Sequence, residues 1–316
     1  MSLQLLKGYF VIFYGFFLFF VYFLLPRDAL AWGPGAHMTY ALHALAHLTL
    51  LAPPIRALLK KHRNAFLYGT IAADIILGKK FAGELYHCHN WDVAFSLLKK
   101  AKKARERAFI LGYLGHLAVD TVAHNYYVPY KIILSYETLT LRHTYWEMRF
   151  DEKMDPEVWR VLEEIAGGDY LDLDRFLENN LKRTIFSFST NKKIFNSLLI
   201  IQRMKKWRLA SALLARRSSY PLLEKDVHHF RDLCFEVLVE FLQGPEQARV
   251  LKADPAGQLK LLFAKEMVRD LRRYTRRRVM GRNETKHFIQ EIREKLSEGL
   301  YKPIDLPLIT DAISAA

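Results

Sequence analysis

Nine of the twelve histidines fall between His37 and His143, which confines metal or acid–base chemistry to the N-terminal half. Within LGYLGHLAVDTVAHNYY, residues 111–127, His116, Asp120 and His124 recur at i, i+4 and i+8. That spacing lines the three along one helical face with neighbouring Cβ atoms about 6 Å apart. The remaining residues of the stretch are mostly apolar or small, so the helix reads as buried. Burying three polar groups together is costly unless something satisfies them. Zn²⁺ does so readily, because it accepts imidazole nitrogen and carboxylate oxygen at about 2.0–2.2 Å. An Asp between two His can also serve two ions, one from each oxygen.

A second pair at the same interval, His143 and Glu147 in RHTYWEM, reads as the complement from a neighbouring helix. Upstream, YHCHNWD offers His87, His89 and Asp92. His87 and His89 cannot share one helical face, so one of the two is the ligand. Asp74 lies inside the hydrophobic stretch FLYGTIAADIILG, either as a buried ligand or as a helix cap or surface turn. His43 and His47 share a face but read as solvated. The adjacent His228 and His229 point about 100° apart on a helix and read as surface residues.

The elements that must position these groups are helical. Apolar residues recur at helical spacing, as in Leu42, Leu45, Ala46 and then Leu97, Leu98, whereas alternating strand-like runs are scarce. The expected fold class is all-α. Breaks are expected at Pro53-Pro54, near Gly78 and Gly83, around Asp155-Pro156, at Gly167-Gly168, between Ser218 and Pro221, and at Gly244-Pro245. The C-terminal half reads as amphipathic helices with an arginine cluster at 269, 272, 273, 276, 277, 278 and 282. That cluster suits either an anionic membrane surface or a solvated helix face. A hydrophobic fraction of 51% with 25% charged residues excludes disorder. The net charge of +14 favours anionic partners such as phospholipid surfaces, nucleic acid or phosphate esters. Cys88 and Cys234 are too few for a disulfide scaffold.

The N-terminus carries Lys7, a largely apolar run from Tyr9 to Leu25, Pro26 and the tripeptide Ala29-x-Ala31. This pattern is that of an export signal cleaved before Trp32, giving a periplasmic or secreted protein. The run exceeds the usual signal core of about 7–15 residues yet falls short of the ~20 of a membrane helix, so a retained anchor is the alternative.

Taken in order, Trp32-Gly33-x-x-x-His37, Asp74, Cys88-His89-x-x-Asp92, His116-x3-Asp120-x3-His124 and His143-x3-Glu147 resemble the bacterial zinc-dependent phospholipase C family. Its fold is shared with the S1/P1 nucleases, and the resemblance spans roughly residues 32 to 150. It implies a multi-helix phospholipase C / P1 nuclease-like domain with additional C-terminal helices. The chain would divide into a signal peptide or anchor (1–31), a catalytic region (32–155) and a helical region without assigned role (156–316). Up to three Zn²⁺ ions are implied. Trp32, through a free α-amino group and carbonyl, and His37 would hold one, with Asp120 bridging to a second that also takes Asp74, His89 and His116. His124, His143 and Glu147 would hold the remaining ion. His89 is preferred to His87 because it falls in the Thr-His-x-x-Asp pattern of the family, with Cys88 in place of Thr. Two departures stand out: Asp120 and His124 are separated by three residues where well-known secreted members have five, and the Trp32-to-His37 interval is shorter.

The activity implied is hydrolysis of phospholipids to diacylglycerol and a phosphorylated headgroup through zinc-activated water, with Asp74 as general base. The alternatives are an S1/P1-like nuclease or 3′-nucleotidase on the same scaffold, and a non-catalytic membrane-associated helical protein.

Overall fold

Every regular element is helical, as the apolar spacing predicts for the fold class, and no strand occurs, among residues 32–75, 89–138, 143–181, 188–203 and 219–310, which the computed structural model describes. The elements are α1 (Pro34–Ala46), α2 (Pro53–Lys61), α3 (Arg63–Ile75), α4 (Trp91–Lys100), α5 (Ala104–Val122), α6 (Val128–Leu134) and α7 (His143–Asp151). They continue with α8 (Pro156–Ala166), α9 (Leu171–Asn180), α10 (Phe188–Arg203), α11 (Glu224–Gln243), α12 (Gln258–Arg276) and α13 (Arg282–Glu298). Pro34, Pro53 and Pro156 open α1, α2 and α8, where a missing N–H is one the helix would not have used. The breaks expected near Gly78 and Gly83 lie outside the described residues. No helix among the described residues is long and apolar enough to cross a membrane, and residues 1–31 lie outside them.

Helix α5 is the axis of the fold. It is buried continuously from Ala108 to Val122, as a helix that is apolar on all sides must be. Its first turn is secured by Glu106, whose Oε2 accepts the amides of Lys102 and Lys103. Helix α3 crosses it without side chains in between. A Cβ on Gly69 would lie 1.9 Å from the carbonyl oxygen of Phe109, and one on Gly112 would lie 2.0 Å from that of Phe66. The two helices can approach this closely only because both positions are glycine.

After α5 the chain does not stay in α register: Ala123–Tyr127 form a π-helical turn before α6 begins. Hydrogen bonding from i to i+5 widens such a turn, and such turns cluster at functional sites.

The C-terminal helices are tied in by buried charge. Lys131 on α6, fully buried, donates to Asp226 of α11 at 2.5 Å, and Arg293 of α13 stands 3.6 Å from the same carboxylate. Arg272 on α12 donates to the carbonyls of Tyr136 and Thr138, so this member of the arginine cluster has an internal task. The other six, Arg269, Arg273, Arg276, Arg277, Arg278 and Arg282, are exposed.

Candidate metal centre

Four helices, the π turn and the stretch just before α4 that carries His89 bring the sequence-derived candidates together in three groups whose ligand atoms lie within 4.8 Å of one another. His37, His116 and Asp120 form the first, Asp74, His89 and His116 the second, and His124, His143 and Glu147 the third. Each group combines residues distant in sequence, and all eight side chains are buried.

The first two groups are continuous through α5. Asp120 divides its oxygens: Oδ1 lies 3.0 Å from His37 Nε2, while Oδ2 lies 3.1 Å from both His89 Nε2 and His116 Nε2. The His37 and His116 rings stack with centroids 3.8 Å apart. Asp74 stands further off, with Oδ1 3.5 Å from His89 Nε2 and 3.8 Å from His116 Nε2. Its position on buried α3 removes the cap and surface-turn readings.

The glycine crossing orients the shared histidine. It brings the Thr70 carbonyl 2.8 Å from His116 Nδ1. A carbonyl only accepts, so Nδ1 carries the proton and Nε2 keeps the lone pair, 3.0 Å from His89 Nε2. Two imidazole nitrogens at that separation beside a divided carboxylate form a donor set suited to Zn²⁺.

Electrostatics prepare the same state. Burial, then the neighbouring His116, lowers the His37 pKa against the opposing pull of Asp120 and Asp74, so the ring is neutral at pH 7. For Asp120, burial alone would raise the carboxyl, but the His116 and His37 imidazoles together outweigh it and hold it well below the usual carboxylate range.

The third group belongs to α7 and the π turn. His143 Nε2 and Glu147 Oε1 are 2.5 Å apart, and the His124 ring meets that of His143 edge-on at 5.1 Å. His124 Nδ1 donates to the carbonyl of Pro255 at 2.6 Å, an acceptor contributed by the C-terminal half. His116 and Asp120 thus serve one part of the centre and His124 another, with the π turn separating them.

Two residues carry roles the sequence reading missed. Asp151, one helical turn beyond Glu147, accepts the amides of Gly35 and Ala36 and so caps the helix that bears His37. Glycine at position 33 makes room for it, since a Cβ there would meet Asp151 Oδ2 at 2.1 Å. Burial pushes the Asp151 carboxyl up to about 7, with the two amides opposing and Asp74 and Glu152 adding to the rise. The indole of Trp32 is fully buried among Tyr40, Tyr127 and Phe150. Its Nε1 donates to the Val119 carbonyl, which anchors the indole to α5 one residue before Asp120.

The remaining candidates stand apart. His43, His47, His228 and His229 are exposed, as is Asp92, in the first turn of α4 behind the Asn90 cap. Cys234 is core. His87 and Cys88 lie outside the described residues.

Among the described residues the frame is wholly helical, and its buried imidazoles and carboxylates form three groups that could hold metal ions. Residues 36–196 match the family described as zinc dependent phospholipase C, and the chain belongs to that family. No curated protein and no solved structure matches it. The family match ends before Pro255, the acceptor for His124.

Proposed function

We propose that this protein hydrolyses the glycerol–phosphate ester of phospholipids, releasing diacylglycerol and a phosphorylated headgroup. The observation that carries the reading is the division of Asp120 between His37 on one side and His89 and His116 on the other, in a member of this family. In the proposed assignment Asp120 would be shared between two zinc ions, with His37 and the Trp32 backbone serving one and Asp74, His89 and His116 the other. His124, His143 and Glu147 would hold a third. Bound zinc supplies Lewis acidity toward phosphoryl oxygens and lowers the pKa of coordinated water to about 7.

The chain's own residues provide the rest. Asp74, the carboxylate set furthest from the histidine nitrogens of its group, accepts the proton of the attacking water. His116 and His124 turn Nε2 toward their groups because backbone carbonyls accept from Nδ1. The catalytic side chains lie within residues 32–155, and the region 156–316 supports them.

A membrane surface is the matching partner. Along the outer face of α12, Leu259 and Leu262 are 80% and 53% exposed, followed at helical spacing by exposed Arg269, Arg273 and Arg276. Exposed leucines beside arginines suit an anionic lipid interface.

The deciding experiment offers the zinc-loaded protein phosphatidylcholine vesicles and single-stranded DNA in parallel. Chelator-sensitive release of diacylglycerol is expected. Nucleotide release instead would establish the nuclease reading, and vesicle binding by a zinc-stripped protein without turnover would establish the non-catalytic one. Export with cleavage before Trp32 is part of the same proposal, because it frees the α-amino group. N-terminal sequencing combined with a zinc count tests it, and an intact N-terminus on the zinc-replete protein would refute it.

A further inference from the structure

Three successive backbone carbonyls in the connection between α11 and α12 accept hydrogen bonds from side chains that flank the candidate metal centre. Ala253 O accepts Trp91 Nε1 at 2.9 Å, Asp254 O accepts Asn125 Nδ2 at 2.7 Å, and Pro255 O accepts His124 Nδ1 at 2.6 Å. Trp91 opens α4, two residues after His89, while Asn125 adjoins His124 in the π turn. One short segment therefore meets the first residue of α4, close after His89 in the chain, and both His124 and its neighbour Asn125.

The segment is built to hold this shape. Asp254 accepts the amides of Ala256 and Gln258 through its carboxylate and that of Gly257 through its carbonyl, a self-closing turn. Gly257 has φ +57°, the left-handed region that favours glycine, and a Cβ there would lie 2.5 Å from both the Cβ and the carbonyl oxygen of His124. Backbone conformation and contact thus demand the same residue.

We propose that Ala253–Gly257 is a positioning strap for the metal centre, and that it sets the protonated nitrogen and ring orientation of His124. The inference rests on the reading of His124 as a zinc ligand. A carbonyl acceptor behind a ligating imidazole fixes its tautomer and raises its basicity, and loss of such partners weakens metal binding by about 10–100-fold. Part of the site therefore lies outside the family match, in the region to which the sequence assigned no role.

The test uses zinc titration of the full protein against a chromophoric chelator, with Gly257→Ala, His124→Ala and the double variant. Gly257→Ala is expected to weaken one zinc equivalent by about 10–100-fold and leave the others unchanged. In the His124→Ala background, Gly257→Ala is expected to change zinc binding no further. Uniform weakening of every equivalent, or an undiminished effect without His124, would overturn the strap. Trp91→Phe, which removes a single hydrogen bond, is the milder variant: a slower-exchanging His124 Nδ1 proton in the parent than in Trp91→Phe supports the proposal, and identical imidazole NMR signals oppose it. Full zinc content in His124→Ala would instead sink the ligand assignment beneath it.

Discussion

The carbonyl of Thr70 and Nδ1 of His116 meet across 2.8 Å because α3 and α5 touch backbone to backbone at Gly69 and Gly112. The orientation of a candidate ligand thus depends on two residues that have no side chain.

Gly112→Ala should separate the helices, since its Cβ would sit 2.0 Å from the Phe66 carbonyl oxygen. Overpacking of this kind costs about 1–3 kcal/mol. The ~1 kcal/mol gain of Ala over Gly in helix propensity offsets only part of it. Urea unfolding of the zinc-free protein reads the loss, and zinc titration should show weaker binding through a displaced His116.

His116→Ala should remove zinc and activity together, because its Nε2 belongs to two of the three groups. Asp74→Asn should retain much of the metal and lose about 10²–10⁴-fold in rate, the usual contribution of a general base. Metal analysis beside turnover separates these outcomes, and a fully active variant lacking metal would contradict the assignment.

Asp151 should leave a signature in the pH dependence of stability. Its carboxyl titrates near about 7 when folded and at its ordinary 3.8 when unfolded. The folded state therefore holds the proton more tightly. This contribution is fully present below pH 3.8 and is lost as pH rises through about 7. Relative to Asp151→Asn, the zinc-free parent should lose stability across that window and run parallel above it. Denaturant titrations at successive pH values give the difference, and a flat difference would argue against a raised carboxyl.

Asp226→Ala should cost about 3–5 kcal/mol, because it strands the buried Lys131 ammonium without its partner. Burial already lowers the Lys131 pKa, with Asp226 opposing. Adding Lys131→Met should recover a large part of the loss. Thermal and urea unfolding of the single and double variants measure both effects.

Local spacing made much of the fold and site legible. The i, i+4 pairs of α5 and α7 and the apolar runs around them are written in consecutive residues, which is why helices and candidate ligands could be read together. What stayed hidden depends on tertiary neighbours. Asp151 extends the His143–Glu147 interval by one more turn, yet its partner amides lie 115 and 116 residues away. The Asp254-Pro255-Ala256-Gly257 turn is absent from the breaks expected from sequence, and nothing local connects it to His124. Trp32 invited attention for its place after Ala31, and only packing gives its indole a task of its own.

The hydrogen bond from His124 to Pro255 spans 131 residues of chain. At roughly 5–20 residues per second, a ribosome needs about 7–26 s to make that interval. A nascent chain therefore carries His124 for that long before its acceptor exists. The hydrogen bond that fixes the His124 ring therefore forms after every residue of the third group has been made, so the order of synthesis puts the ring's final orientation behind the folding of the helices around it.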